Sequence, residues 1–219
     1  MLAAFTIPVL KGIKRQQYIR TAQAEMAQLE TAIERYKAAY GFYPPDNPCD
    51  PRVNQLYFEL LGTAVITNSG VLTYQSLDDP TIQIPQTQPD FKKVFGSDAG
   101  GNNCVNGFMN CTKPGGGEDA RAAQNFLPGL KPNQVVVFTN NFGNNVLPIK
   151  LLVTSVGGPD LTYQPLGTGA TGINPWRYKS SNPVNNPGAY DLWVQLAISG
   201  RTNLICNWSK AVLFNSPLP

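Results

Sequence analysis

The sequence predicts an α+β protein in which a long N-terminal helix forms a stem and packs on a head with a small antiparallel β-sheet. Three observations predict this class: an apolar stripe at helical spacing near the N-terminus, alternating apolar and polar residues near the C-terminus, and abundant Gly, Pro and Asn between them. We expect the stem over 1–41 and the head over 42–219, with 66–133 as a loop-rich insertion. The length of 219 residues suffices for one sizeable core.

The stem is predicted by apolar residues that recur three and four positions apart, which places them in one narrow stripe on one helix face. Gly41 and then Pro44 follow the stripe and would end a helix over 2–40. At about 1.5 Å per residue, a helix from Pro8 to Tyr40 would be about 50 Å long, so only part of it can lie against the head. The stripe consists of Ile19, Ala22, Met26, Leu29, Ile33, Tyr36 and Tyr40.

The elements after the stem are shorter. A second helix is predicted over 54–61, with Asn54 as its cap and Gly62 as its stop. In the insertion we expect only short elements, around 82–84 and 118–125.

Strands are predicted in the last third of the chain, where apolar and β-branched residues return. Two strands, over 134–139 and 146–153, flank an Asn-rich turn. A later pair, over 176–178 and 189–199, is joined by a Pro- and Asn-rich loop. In 189–199 the residues alternate in polarity, but Trp193 and Ala197 interrupt the polar face, so we expect that face to be partly covered. An edge strand is expected over 210–214.

Short motifs stand at both ends of the chain. The N-terminal motifs are LAAFTIP at 2–8, the basic residues that follow it, and GFYP at 41–44. The C-terminal motifs are NPWRY at 174–178, YDLW at 190–193 and ICNW at 205–208. In order and spacing they resemble the type IV pilin-like proteins, specifically the pseudopilins of type II secretion systems, and most of all the major pseudopilin. The middle of the chain, 46–170, carries no resemblance.

The resemblance implies a non-enzymatic structural subunit that assembles through its N-terminal helix into a secretion pseudopilus or a type IV pilus-like filament. Its partners would be further copies of itself, other pilin-like subunits and inner-membrane assembly proteins, with a separate ATPase driving growth. The subunit would be anchored in the bacterial inner membrane, with its head in the periplasm or outside the cell. No cofactor is implied.

In this family an N-methylated hydrophobic segment leads into the LAA motif, whereas here only 1–10 are apolar, fewer than the ~20 residues that span a bilayer. The apolar segment is not predicted to be a signal peptide, because no basic residue precedes it and no small-residue cleavage site follows it. Two interpretations remain: a longer protein whose first residues are missing here, or a protein that starts at Met1 with an apolar first turn. Because the resemblance begins within the hydrophobic segment, we favour the first.

The net charge of +3 lies in the stem. Residues 11–37 hold six basic and three acidic side chains, and the rest of the chain is balanced. A basic head that binds nucleic acid is therefore not supported. A basic cluster follows the apolar start, and it could contact lipid headgroups or carboxylates of neighbouring subunits, or simply be solvated. The cluster consists of Lys11, Lys14, Arg15 and Arg20.

The four cysteines predict disulfides, because an even number is typical of exported proteins, and three pairings are possible. We expect Cys104–Cys111, which would close a flexible loop, and Cys49–Cys206, which would tie the end of the stem to the C-terminal strands. Zinc binding is the alternative, but the chain has no CxxC motif and no histidine.

The resemblance raises the question of whether this chain binds calcium. The major pseudopilin binds it in a loop after its Tyr-Asp strand, through carboxylates and carbonyls. The corresponding residues 195–208 contain no acid here, and Arg201 would oppose a cation. We therefore expect that the calcium site is lost, that the chain holds no metal, and that Cys206 acts as the local covalent link instead.

Two other classes of function stay open. An exported carbohydrate- or surface-binding module could use Trp176, Trp193 and the loop 180–188. A secreted hydrolase could use one of two acidic pairs. Adjacent acids do not converge on one substrate by themselves, however, and the absence of histidine removes the commonest general base. The pairs are Asp78 with Asp79 and Glu118 with Asp119.

Overall fold

The computed structural model describes residues 6–113, 121–139, 147–156, 165–166, 170–198 and 200–216. Within them the chain has a long N-terminal helix, two short helices and three β-sheets in which most neighbouring strands are antiparallel. The predicted α+β class is confirmed at this level.

Helix α1, Thr6–Tyr40, is the stem and has 35 residues, which corresponds to about 52 Å. It ends where the sequence predicts: Gly41 adopts a φ of 85° and its N–H donates to the carbonyl of Lys37 over 2.7 Å. The positive charge of Lys37 lies in the last turn, where it stabilises the helix dipole. Of the predicted range 2–40, residues 2–5 lie outside the described part of the chain.

The second helix and the first sheet follow. Helix α2, Leu56–Leu61, is buried along its whole length. The sheet has the order β3-β2-β1-β4, in which β1 and β4 are parallel and the other pairs antiparallel. Its strands are β1 (Thr63–Asn68), β2 (Val71–Ser76), β3 (Gln83–Pro85) and β4 (Cys111–Thr112). Helix α3 (Gln88–Phe95) follows β3 along the chain and precedes β4.

The prediction that 66–133 is a loop-rich insertion did not foresee this sheet, although long stretches such as 96–110 do form no helix or strand. Strands β1 and β2 form a hairpin whose two turn residues, Ser69 and Gly70, both have positive φ, as the tight turns that match strand twist require. Some of the Gly, Pro and Asn residues therefore mark short turns, and others lie in long irregular segments. The element expected around 82–84 is β3. The one expected over 118–125 lies partly outside the described residues, and 121–125 forms no helix or strand.

The C-terminal part contains two antiparallel sheets. One pairs β5 (Val135–Thr139) with β6 (Pro148–Leu152), after a single 3-10 turn at Pro132–Gln134. The other has the order β10-β9-β8-β7 and is called the third sheet below. Its strands are β7 (Arg177–Lys179), β8 (Asp191–Ile198), β9 (Arg201–Cys206) and β10 (Ser209–Phe214). The predicted strands of this region are thus confirmed, β10 at the sheet edge, whereas β9 was not predicted.

The third sheet lies between two apolar clusters. On one face Leu192, Val194 and Leu196 belong to the main core, which also contains α2 and the apolar stripe of α1. On the other face Trp193 packs with Leu204 and Cys206, and Trp208 covers them. The expectation that Trp193 lies on a covered face is confirmed, because Trp193 is only 3% exposed.

The disulfide pairing was predicted wrongly. Cys49 pairs with Cys104, 55 positions away, with a Cα–Cα distance of 5.9 Å, while Cys111 and Cys206 are buried free thiols. The physical reason is strand pairing. Cys111 belongs to β4 and lies opposite Thr63, and Cys206 lies opposite Trp193 in the third sheet. Neither Cys104–Cys111 nor Cys49–Cys206 forms.

Candidate functional site

The acidic pair Asp78 and Asp79 forms ion pairs with Lys150, whose Nζ lies 3.3 and 3.0 Å from the two carboxylates. Hydrogen bonds from Thr81 and Lys150 lower the pKa of Asp79 to about 2. Such a carboxyl is ionised at neutral pH and is a poor general acid. The other acidic pair, 118–119, lies outside the described residues.

The segment 195–208, which the resemblance compares with a calcium loop, contains the end of β8 and the strand β9 among its described residues. Among the described residues no three Cys, Asp or Glu side chains lie close enough together to hold a metal ion. Loss of the calcium site remains a prediction. The expectation that Cys206 replaces the metal as a covalent link is wrong, because Cys206 is a free thiol.

The two tryptophans proposed as a sugar platform are both buried. Trp176 is 1% exposed and Trp193 is 3% exposed. A sugar stacks on an open aromatic face, and neither ring offers one in this structure. The observation that favoured a carbohydrate-binding module therefore does not hold for these residues.

The stem carries the remaining candidate residues, and its apolar stripe faces the protein's own head. Most of the stripe is buried in the main core, and two members are half-buried against it. The sequence therefore predicted the inner face of the stem correctly. Whether the same residues also pack against neighbouring stems stays a prediction. The buried members are Ile19, Ala22, Leu29, Ile33 and Tyr36, and the half-buried ones are Met26 and Tyr40.

We call residues 12–18 the front segment of the stem and 19–40 its rear segment. Most of the front segment is exposed, and its one aliphatic side chain, Ile13, is 58% exposed. Gly12 has nothing within 4 Å of the position that a Cβ would occupy. The head therefore supports the rear segment and leaves most of the front segment uncovered.

Arg15 makes the first contact between stem and head. It donates two hydrogen bonds, of 3.2 and 3.0 Å, to Oδ1 of Asn203, and its guanidinium lies 4.6 Å from the ring centroid of Phe214. Asn203 is buried, and its Nδ2 donates to backbone carbonyls of the β8–β9 hairpin. The orientation of its amide is thereby fixed, with the oxygen toward the stem.

Glu25 makes the second contact, from the middle of the stem. It is 7% exposed, and its carboxylate accepts hydrogen bonds from Thr154 Oγ1 at 3.0 Å and from the backbone N–H of Ser155 at 3.2 Å. The hydroxyl of Ser155 donates to its other oxygen. A buried carboxylate is tolerated when such donors surround it.

Glu59 of α2 makes the third contact, at the rear of the stem. It is 0% exposed and accepts hydrogen bonds from Tyr36 Oη at 2.9 Å and from the backbone N–H groups of Met109 and Asn110 at 2.8 and 3.0 Å. Burial raises the pKa of Glu59 to about 7, although these three hydrogen bonds oppose the rise. Burial and the neighbouring carboxylate also raise the pKa of Tyr36, which remains a donor at neutral pH.

Asn110 extends this third contact to the last turn of the stem. Its Oδ1 accepts from Tyr40 Oη at 2.9 Å, and its Nδ2 donates to the carbonyl of Glu59 at 2.8 Å. Arg121 covers the Tyr40 ring at 4.8 Å and donates to the carbonyl of Ala39. The rear end of the stem is thus held by Glu59 of α2 and by the side chains of Asn110 and Arg121.

Sequence reasoning missed these polar contacts. Glu25 is an acid on the stripe side of the helix, between Ala22 and Leu29, and Glu59 is the only charged residue within LYFELL. A lone acid on an otherwise apolar face is the signal that could have found both. Arg15 and Asn203 carry no such signal, because they meet only through the tertiary fold.

Comparison with known protein families, characterised proteins and solved structures finds no match to this chain. In the part of the chain that the structure describes, no helix is both long enough and apolar enough to cross a membrane.

Proposed function

We propose that the chain is a structural, non-enzymatic subunit of a type II secretion pseudopilus or type IV pilus-like filament, with a pilin-like head, and that it assembles through α1. The observation that supports the proposal is the asymmetry of this helix. The apolar stripe and the contacts of Glu25 and Tyr36 fix its rear segment to the head, while most of its front segment is uncovered and leaves Ile13 exposed. A helix segment that its own head leaves uncovered is available to pack on another chain.

In the proposed mechanism the helix transmits force to the head. Because the helix is attached to the head through Arg15, Glu25 and Tyr36, a displacement of the helix carries the head with it. The front segments of neighbouring copies would bundle in the filament core, and the heads would face outward. Lys14 in the front segment and Arg20 at the start of the rear segment are exposed and would contact lipid headgroups or carboxylates of adjacent subunits.

The proposal includes the partners and the location. The partners are other copies, other pilin-like subunits and inner-membrane assembly proteins. The subunit is held in the bacterial inner membrane with its head in the periplasm or outside the cell. The proposal therefore predicts that the native protein carries further apolar residues upstream of Met1 and that the first of them is N-methylated.

Ile13→Asp tests the assembly surface. We expect the variant to remain folded, because Ile13 contributes little to the core, and to disappear from filaments sheared from cells that express it. The matched control is Val184→Asp, which places the same charge at an exposed apolar site on the head and should still assemble. If the Ile13→Asp protein is recovered in filaments in the same amount as the wild-type protein, the proposal is contradicted.

Leu29→Asp is expected to fail in a different way. Leu29 is 4% exposed in the protein's own core, so its replacement by a carboxylate should unfold the head before assembly is reached. Leu29→Asp protein that is folded and recovered in filaments would show that the stem does not pack on its head as described.

Intact mass and terminal peptide sequencing of the native protein, isolated from membranes or filaments, test the anchor. A mature N-terminus with an N-methylated hydrophobic segment before Met1 would support the proposal. A native chain that begins at Met1 and is recovered free of membranes would remove the proposed anchor and overturn the mechanism as stated.

A further inference from the structure

A small cavity lies on the face of the third sheet that points away from the stem. Its volume is about 70 Å³, and it is lined by Lys179, Asp191 and Trp193 from the sheet and by Pro48 and Pro51 from the segment that crosses them. Lys179 and Asp191 are direct partners in the pairing of β7 with β8, and Trp193 is two positions further along β8. The three side chains therefore share one face.

The indole of Trp193 is the first sign that the cavity receives a ligand. Trp193 is 3% exposed, and its buried Nε1 has no hydrogen-bond acceptor in the protein. A buried N–H group without an acceptor is rare in folded proteins and destabilises them unless a ligand or an ordered water supplies one.

Lys179 is the second sign. It is half-buried, and its ammonium forms no ion pair with any described residue, although Asp191 lies directly opposite it. Asp191 is occupied elsewhere. Its carboxylate accepts hydrogen bonds of 2.8 to 3.1 Å from the loop before β8, namely from the N–H groups of Val184, Asn185 and Asn186 and from the Asn185 amide.

The polar groups of the cavity that have no partner among the described residues, Trp193 Nε1 and Lys179 Nζ, are therefore hydrogen-bond donors. Asn47, which also lines it, uses Nδ2 on the carbonyls of Val53 and Phe95 and uses Oδ1 on the N–H of Cys49.

We propose that this cavity binds a carboxylate group, with one oxygen accepting from Trp193 Nε1 and the other from Lys179 Nζ. A carboxylate offers acceptors only, which matches a cavity with donors to spare. The cavity is large enough to hold an ordered water or a group of similar size. The carboxylate comes from a free small acid or from an acidic side chain of another protein.

The indole N–H resonances of the ¹⁵N-labelled full chain test the proposal. Acetate should shift the Trp193 resonance saturably, while acetamide, a neutral molecule of the same shape, should not. The Trp176 indole serves as an internal reference for the fold. Trp193→Phe assigns the resonance, and if that variant does not fold, proximity to the Trp208 ring, 5.8 Å away between centroids, assigns it in the wild type.

Lys179→Gln should weaken acetate binding at least tenfold, whereas Lys210→Gln, the same change at an exposed lysine on the opposite edge of the sheet, should leave it unchanged. A capped Gly-Asp-Gly peptide that binds more tightly than acetate, with its Asn counterpart inactive, would identify a protein side chain as the source. Equal or weaker binding would identify a free acid. No saturable shift with either probe, the same shift with acetamide, or full binding by Lys179→Gln would overturn the proposal.

Discussion

The front and rear segments of the stem belong to one continuous helix but are stabilised differently. In the rear segment Ile33 is 0% exposed, and every turn reaches the core through the stripe. In the front segment Ile13 is 58% exposed, and Gly12, which costs about 1 kcal/mol relative to Ala inside a helix, makes no close contact. The front segment lacks the burial that stabilises most helices in proteins.

The difference teaches that helical spacing alone does not show where a helix is supported. The stripe begins at Ile19, which is also the first buried side chain from residue 12 onward. Residues 12–18 of the helix carry basic side chains and one exposed aliphatic side chain, Ile13. The apolar stripe therefore predicts the part of the helix that the head covers, whereas the helix itself extends further.

The largest expected effect separates the two segments directly. Ile33→Ala should lower the free energy of unfolding by about 2–5 kcal/mol, because it opens a cavity in the core. Ile13→Ala, the same change in the front segment, should alter it by no more than about 0.5 kcal/mol. Urea unfolding of both variants measures the difference, and similar losses would show that the front segment also packs on the head.

The disulfide tests whether the rear segment depends on a covalent link beyond it. Cys49 lies after the end of α1, and replacing Cys49 and Cys104 by Ser should cost about 2–4 kcal/mol. The gap between Ile33→Ala and Ile13→Ala should persist in that background, since the stripe does not use the bond. A thiol assay in denaturant should find two free thiols in the oxidised wild type, and finding none would contradict the pairing.

The contact at Glu59 should make the rear segment pH-dependent. The pKa of Glu59 rises from 4.5 to about 7 on folding, so its contribution to stability is complete below pH 4.5 and is lost as the pH rises through about 7. Wild type should therefore lose up to about 3 kcal/mol between pH 4.5 and 8 from this group.

Glu59→Gln removes that titration and should flatten the pH dependence of the unfolding free energy over this range. Glu34→Gln, which changes an exposed carboxyl of the stem, should keep most of it. An unchanged slope in Glu59→Gln would show that the buried carboxyl does not bind a proton on folding.

A small effect is expected at Arg15, the polar contact between the front segment and the head. Arg15→Ala removes the hydrogen bonds to Asn203 and the contact with Phe214, and it should cost no more than about 1 kcal/mol because Arg15 is only half-buried. Amide hydrogen exchange should become faster over 12–18 and stay unchanged over 30–40. Lys14→Ala, at an exposed neighbour, should change neither region.

The elements that sequence reasoning predicted well are those with a strong periodic signal. The stripe of α1 recurs at helical spacing through seven residues, and Gly41 and Pro44 end it clearly. Strand β8 shows period-two alternation, and its covered second face follows from Trp193. Such patterns are local, so they can be recognised without knowing which residues the element contacts in the folded protein.

The rest depended on contacts between distant residues. The parallel pairing of β1 with the two-residue β4 determines where Cys111 lies, and nothing local indicates it. Strand β9 was missed because residues 195–208 were compared with a calcium loop, although Leu204 and Ile205 alternate toward the two apolar clusters. Glu25 and Glu59 carried a local signal that was not used, whereas the approach of Arg15 to Asn203 required the assembled head.

The two unpaired cysteines have a practical consequence. Cys111 and Cys206 are 7% and 1% exposed, and burial raises the pKa of both thiols, so neither presents a reactive thiolate near neutral pH. With Cys49 and Cys104 in a disulfide, a cysteine introduced at Ile13 would be the sole readily labelled position on the folded protein. A spin label or crosslinker could then report on neighbours of the front segment in intact cells, with all four native cysteines left in place.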